Sequence, residues 1–232
     1  STSFEHISIN NSTLTDNAVY CFAPGSMNKL WIGTENGINY YLYKSKQLKT
    51  FTVTADGKKV KYVHSIHELN DTTLWVSTVG EGIVKIILNK NGITPTVKSA
   101  TRIILDGGRL ASNYFFTSFQ ENDSILWFGN RGYGAHRLNL ETGKFTPYKF
   151  DNIVNSQMTN DIFAIYKNEN GYWFATSSGL LHFNQEDSQH HNKVELLSKN
   201  TAHGILEDQQ NNIWISTNQG LVRFNPKTHT SQ

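Results

Sequence analysis

The sequence predicts an all-β fold, a β-propeller of five four-stranded antiparallel blades, on three observations. All five tryptophans sit in one local pattern, and Trp31, Trp75, Trp127, Trp173 and Trp214 follow one another at intervals of 44, 52, 46 and 41 residues. No amphipathic helical window lies between the copies. Four short strands at that period, without a helix, are the signature of a propeller blade.

Each element of the repeat has a physical reason. The copies read LWIGTENGI at 30–38, LWVSTVGEGI at 74–83, LWFGNRGYGA at 126–135, YWFATSSGL at 172–180 and IWISTNQGL at 213–221. After each Trp comes a large apolar residue (Ile32, Val76, Phe128, Phe174, Ile215), then a small one (Gly33, Ser77, Gly129, Ala175, Ser216), then Thr or Asn (Thr34, Thr78, Asn130, Thr176, Thr217). An apolar run of this length reads as a strand covered on both faces. The small residue shares its face with Trp, two positions away, so a neighbouring backbone is expected close to it. Six or seven residues after the Trp stands a glycine (Gly37, Gly82, Gly134, Gly179, Gly220), which supplies the positive φ of a hairpin turn.

The flanking strands follow in register. Before each Trp lies an apolar segment ending in a polar turn, as in AVYCFAPGSMNK or YVHSIHELNDTT, and after each glycine comes a second run such as INYYLYK, IVKIIL or LVRFN. Fourth strands are expected at 47–53, 144–150 and 194–198, with a weaker candidate at 93–99, or 93–105 if it continues. Phe4 lies 27 residues before Trp31, much as Phe145 lies 28 before Trp173, so the N-terminal hexapeptide holds the place of a fourth strand. Two readings stay open: this strand completes blade five and closes a ring, or the chain is a window cut from a longer array. In both, residues 1–232 form a single propeller domain.

Composition narrows the function. The chain has 232 residues, 38% hydrophobic and 17% charged, with a formal charge of +2. That composition excludes bulk disorder, and no apolar stretch is long enough to span a bilayer. The small basic excess argues against nucleic acid as a partner. Cys21 is the only cysteine, so no intramolecular disulfide forms and the redox compartment stays open. The first residues, STSFEHISIN, have neither the basic nor the apolar region of a signal peptide.

Motifs that carry chemistry are scarce. His64 and His67 are separated by an odd number of residues on one strand, and His190-His191 are adjacent, so neither pair shares a metal locally; they read as surface or packing histidines. Gly80-x-Gly82 and Gly132-x-Gly134 precede no helix and read as hairpin turns rather than phosphate loops. Lys58-Lys59-x-Lys61 reads as a solvated basic loop. The expectation is no catalytic residue, no metal site and no cofactor.

The repeat, [LI]-W-[IV]-G-T-x-x-G-[LI] followed by a strand ending in Phe-Asn and preceded by loops such as LTDNAV at 14–19 or MTNDIF at 158–163, resembles the two-component regulator propeller repeat. Copies one, four and five match best. Copy two departs at Ser77 and Val79-Gly80-Glu81, and copy three has Asn130 and one added residue. The resemblance implies the periplasmic sensor region of a hybrid two-component histidine kinase, in which two seven-bladed propellers and an immunoglobulin-like domain precede a transmembrane helix and kinase. It implies a module that detects glycan-derived oligosaccharides and regulates transcription. Expected partners are an oligosaccharide, the further propeller and immunoglobulin-like domains of a parent chain, and a second copy in a homodimer. Two alternatives from other classes remain: a propeller lyase or hydrolase, and a purely structural or dimerising propeller.

Recognition on a propeller falls to loops held by a rigid scaffold. The turns between second and third strands offer Glu35, Asn36, Glu81, Arg131, Tyr133 and Asn218, and the loops between blades offer Arg109 and Asn113. Amides, Arg and Tyr suit hydroxyls and ring faces. Copy three breaks the repeat most, so Arg131, Tyr133, Arg109 and Asn113 head the ligand-binding candidates.

Overall fold

The computed structural model describes residues 4–89, 93–105, 112–150, 159–184, 193–196 and 200–232. Five four-stranded antiparallel sheets follow one another along the chain, each with its strands in sequence order. Blade one is β1 (Val19–Gly25), β2 (Lys29–Thr34), β3 (Gly37–Leu42) and β4 (Gln47–Phe51), followed by a small hairpin of β5 (Thr54–Ala55) and β6 (Lys58–Lys59). Blade two is β7 (Val63–Leu69), β8 (Thr73–Thr78), β9 (Ile83–Leu88) and β10 (Val97–Ile103). Blade three is β11 (Phe115–Asn122), β12 (Ile125–Asn130), β13 (Ala135–Asn139) and β14 (Phe145–Tyr148). Blade four is β15 (Ile162–Asn168), β16 (Gly171–Thr176), β17 (Gly179–Asn184) and β18 (Lys193–Leu196), and blade five is β19 (Ala202–Glu207), β20 (Ile213–Thr217), β21 (Gly220–Asn225) and β22 (Thr230–Ser231). The chain forms two compact units, one built on blades one and two and the other on blades three to five, with Asn113–Phe115 belonging to the first.

The repeat residues close the hairpin between second and third strands. The Thr hydroxyl three positions after Trp donates to the carbonyl of the turn glycine, from Thr34 to Gly37 (3.1 Å), Thr78 to Gly82 (2.6 Å), Thr176 to Gly179 (2.8 Å) and Thr217 to Gly220 (2.9 Å). Those glycines have φ of +139°, +80°, +129° and +120°, where a Cβ would be strained.

Within each unit, the motif face of one blade packs on the first strand of the next. Trp31 is 0% exposed among Val63 and Ile66 of blade two, and Trp127 is 0% exposed among Ile162, Ile165 and Phe174 of blade four. Trp173 is 1% exposed beside Ala202, Ile215 and Phe224 of blade five. The close backbone approach expected at the small residue is present. A Cβ on Gly33 would stand 2.6 Å from the Val63 carbonyl oxygen, and one on Gly129 would stand 2.6 Å from that of Ile162.

Two strand expectations need correction. The fourth strand of blade five is Thr230–Ser231, paired with Asn225 and Phe224, while the N-terminal residues 4–7 form no strand. Asn225 is the reason: its side-chain oxygen accepts the amides of Lys227 (2.9 Å) and Thr228 (3.2 Å), and His229 at φ +55° turns the chain back onto its own blade. The fourth strand of blade two runs over Val97–Ile103, later than 93–99 and inside the continued span 93–105, with Val97 and Ala100 packed on the first core.

Gly129→Ala is expected to lower stability by about 1–3 kcal/mol, since the added methyl meets a backbone oxygen that cannot yield. Gly204→Ala meets only the Ser216 hydroxyl at 3.1 Å and should stay within about 0.5 kcal/mol of the wild type. Urea denaturation of both variants checks the contrast.

Candidate functional site

The turn residues named from the sequence are each engaged locally. Glu35 accepts the Tyr20 hydroxyl (3.3 Å), and the Asn36 amide donates to Asp16. Glu81 accepts Arg102 Nη1 at 2.7 Å and the Lys61 amide at 3.4 Å. Asn218 Oδ1 lies 2.6 Å from His203 Nε2. In the first unit, Asn113 contributes its carbonyl, which accepts the amides of Gly80 (2.9 Å) and Gly82 (3.0 Å) and so fixes the blade-two turn. In the second, the exposed Arg131 offers its carbonyl to the Ser112 hydroxyl (3.0 Å), and Lys149 Nζ sits 4.8 Å from the centre of the Tyr133 ring. Arg109 and His190-His191 lie outside the described residues.

Two clefts, of about 350 and 330 Å³, lie elsewhere. Both are on blade one and share Ile7, Tyr41 and Leu48 as lining residues. They mark where the N-terminal segment rests on the face of the first sheet. Neither includes a turn residue named above.

A second set of residues escaped the sequence reading. The pairing of first and second strands slips by one residue between Val19 and Cys21, Val63 and Ser65, Ile162 and Ala164, and Ala202 and Gly204. Such a bulge takes one side chain out of the ladder and re-aims it. The displaced residues are Tyr20, His64, Phe163 and His203, and Phe116 holds the same repeat position in blade three. All five are aromatic, each 11 residues before its Trp, or 10 for Phe163. In the first unit Tyr20 and His64 stack at 4.2 Å with 17° between their planes. In the second, Phe116 and Phe163 lie 5.1 Å apart, and Phe163 and His203 5.6 Å apart. The legible signal was an aromatic at constant distance before each Trp, which a search for metal-ligand spacing passes over.

Electrostatics divide between packing and this edge. Burial lowers the His64 pKa, so its ring is uncharged at neutral pH. Burial and the neighbouring Glu35 carboxylate raise that of Tyr20. Carboxylates and amides at the ends of first strands hold the indoles: Trp127 donates to Glu121 (2.8 Å), Trp173 to Asn168 (3.0 Å), Trp214 to Asp208 (2.8 Å), and Trp31 to Glu68 of the next blade. At Glu121 burial works to raise the pKa, but hydrogen bonds from Lys167, Trp127 and Tyr172 outweigh it and the net shift is downward. The Trp214 indole and the amides of Asn212 and Gln210 hold Asp208 down to about 2. Burial pushes the Cys21 thiol up to about 12. Among the described residues, no three His, Cys, Asp or Glu side chains converge on a metal-sized site, and no helix is long and apolar enough to cross a membrane.

The repeat geometry agrees with the comparison to known proteins. Residues 13–36 and 196–219, which span the blade-one loop through its turn and the corresponding part of blade five, match the family described as two component regulator propeller. Those two segments resemble two component regulator propeller repeats. It is 28% identical over 176 residues to histidine kinase P4 of Formosa agariphila, a match covering 72% of this chain and 12% of that protein. Two solved structures share its fold, the extracellular domains of the hybrid two component systems BT3049 and BT4673 of B. thetaiotaomicron. The first has a TM-score of 0.71 at 22% identity over 97% of this chain and 29% of its own. The second has 0.75 at 19% identity over 97% and 31%. At these identities the likeness is one of fold, a β-propeller, and the chain spans less than a third of each of these relatives.

Two outcomes follow from the shifted groups. A carboxyl whose folded pKa is depressed stabilises fully above its unfolded value, near 3.8 for Asp208, and loses that contribution as pH falls through about 2. The gap in urea midpoint between wild type and Asp208→Asn should therefore narrow from pH 4.5 to pH 2. The Cys21 thiol should stay protonated at pH 8 and resist iodoacetamide until the protein is unfolded, which mass spectrometry of the labelled chain would show.

Proposed function

We propose that this chain is a ligand-sensing propeller module from the periplasmic sensor region of a hybrid two-component histidine kinase, and that its ligand is a glycan-derived oligosaccharide whose binding regulates transcription. The supporting observation is the coincidence of two component regulator propeller repeats with a fold shared by extracellular domains of two-component systems. The module binds and does not turn over its ligand; the kinase activity belongs to the parent protein. Its partners are the further propeller and immunoglobulin-like domains of that parent, together with a second copy in a signalling dimer. Arg131 and Tyr133, with Arg109 and Asn113 as further candidates, suit a hydroxyl-rich or acidic ligand, with Arg forking onto oxygen pairs and Tyr stacking on a ring face.

A thermal-shift panel of oligosaccharides tests the reading. A true ligand at 100 times its Kd should add about 2.7 kcal/mol of stability. Replacing Arg131 and Tyr133 together with Ala should leave the Tm of the free protein nearly unchanged and weaken such a ligand by about tenfold, or about 1.4 kcal/mol. Hydrolysis or elimination of any panel member by the purified chain would instead establish a propeller lyase or hydrolase.

A further inference from the structure

In the first unit the bulge aromatics converge with polar groups at one edge. Tyr20 is displaced from the ladder of blade one and His64 from that of blade two, and their rings stack at 4.2 Å. Tyr20 remains 42% exposed although one face is against His64, so its exposure lies on the other face and the rim. Its hydroxyl reaches Glu35 at 3.3 Å, and Asp16 stands behind Asn36 in the same turn.

Tyr62 adds an independent sign. It is 40% exposed and has φ +52°, a left-handed backbone that a bulky aromatic adopts only when its surroundings enforce it. Two hydrogen bonds enforce it here: its amide donates to the Glu35 carbonyl at 2.7 Å, and its own carbonyl accepts the Val79 amide at 3.0 Å. The strain presents a second Tyr beside the carboxylate turn. Packing does not require this. A repeat position that is aromatic in all five copies yet stays open to solvent in Tyr20 and His203 is held for its face rather than for burial.

We propose that Tyr20, His64, Tyr62 and Glu35 form a binding site for one neutral pyranose ring. The Tyr faces cover the C–H side of the ring, and the Glu35 carboxylate accepts its hydroxyls. Lys59 Nζ lies by Gly37 of the same turn, but the two carboxylates of Glu35 and Asp16 outnumber it beside the stack and disfavour a uronic acid, which separates this site from the arginine-bearing turn of blade three. The inference rests on the oligosaccharide-sensing reading and adds to it a second site, for neutral ligands, apart from the arginine-bearing turn.

The experiment is an NMR titration of the intact chain with cellotriose, mannotriose, galactotriose and trigalacturonate. At least one neutral trisaccharide should bind, with saturation transfer from aromatic protons to its ring C–H protons, and trigalacturonate should not bind at this site. Tyr20→Leu and His64→Ala should each weaken the neutral ligand by about tenfold. Glu35→Gln, which keeps the shape of the turn, should weaken it about fivefold. Circular dichroism identifies any variant that has lost its fold, in which case Glu35→Gln and the saturation-transfer pattern decide. Neutral binding that survives these changes overturns the site while leaving the sensing role in place. So does binding of trigalacturonate alone with dependence on Arg131 and Tyr133. Absence of binding by all four overturns both.

Discussion

The structure depends on how closely one blade can lie on the next. Where Gly33 faces the Val63 carbonyl and Gly129 faces that of Ile162, the missing side chain lets a second strand come against the first strand of the following blade. That approach is what buries Trp31 and Trp127 completely. An indole is the largest apolar surface a residue can contribute, so a repeat whose blades cannot bury their faces alone draws most of its stability from this contact. The Thr-to-Gly hydrogen bond at the adjacent turn keeps the strand ends in register, and an acceptor at the end of the first strand satisfies the indole N–H without opening the interface.

The same constraint shapes the edge where recognition is proposed. A first strand packs against its neighbour, and a bulge in it re-aims one side chain. In each blade whose first and second strands slip in register the freed residue is aromatic, so a ring is delivered at a repeated position. Turn residues then differ from blade to blade beside an aromatic at a constant repeat position. Glu35 meets Tyr20 in blade one, and Asn218 meets His203 in blade five. A rigid repeated scaffold with variable polar neighbours is an arrangement suited to sorting ligands that share a ring and differ in their substituents.

The sheet-forming pattern was legible because both its causes are local. Strand alternation, the turn glycine and the small residue beside Trp express backbone sterics within a few residues, and the five tryptophans are matched by five four-stranded sheets among the described residues. The site was less legible. Glu35, Asn36, Glu81 and Asn218 could be placed on turns, but their partners Tyr20, Asp16, Arg102 and His203 come from other strands and loops. His64 was read from its separation from His67 as a residue of a regular strand; the register slip beside it removes the alternation on which that reading relied.

By itself, the sequence determined the fold class, the repeat boundaries, the hairpin turns and the close approach at the small residue, because each follows from short-range sterics repeated five times. Only the tertiary structure decided that the fourth strand of blade five is Thr230–Ser231, which the turn closed by the Asn225 side chain brings back onto Asn225 and Phe224. It also decided that Tyr20 stacks on His64 and that Tyr62 is held left-handed beside Glu35. Those relations join strands of different blades, and no local spacing encodes the one-residue slip that brings them together.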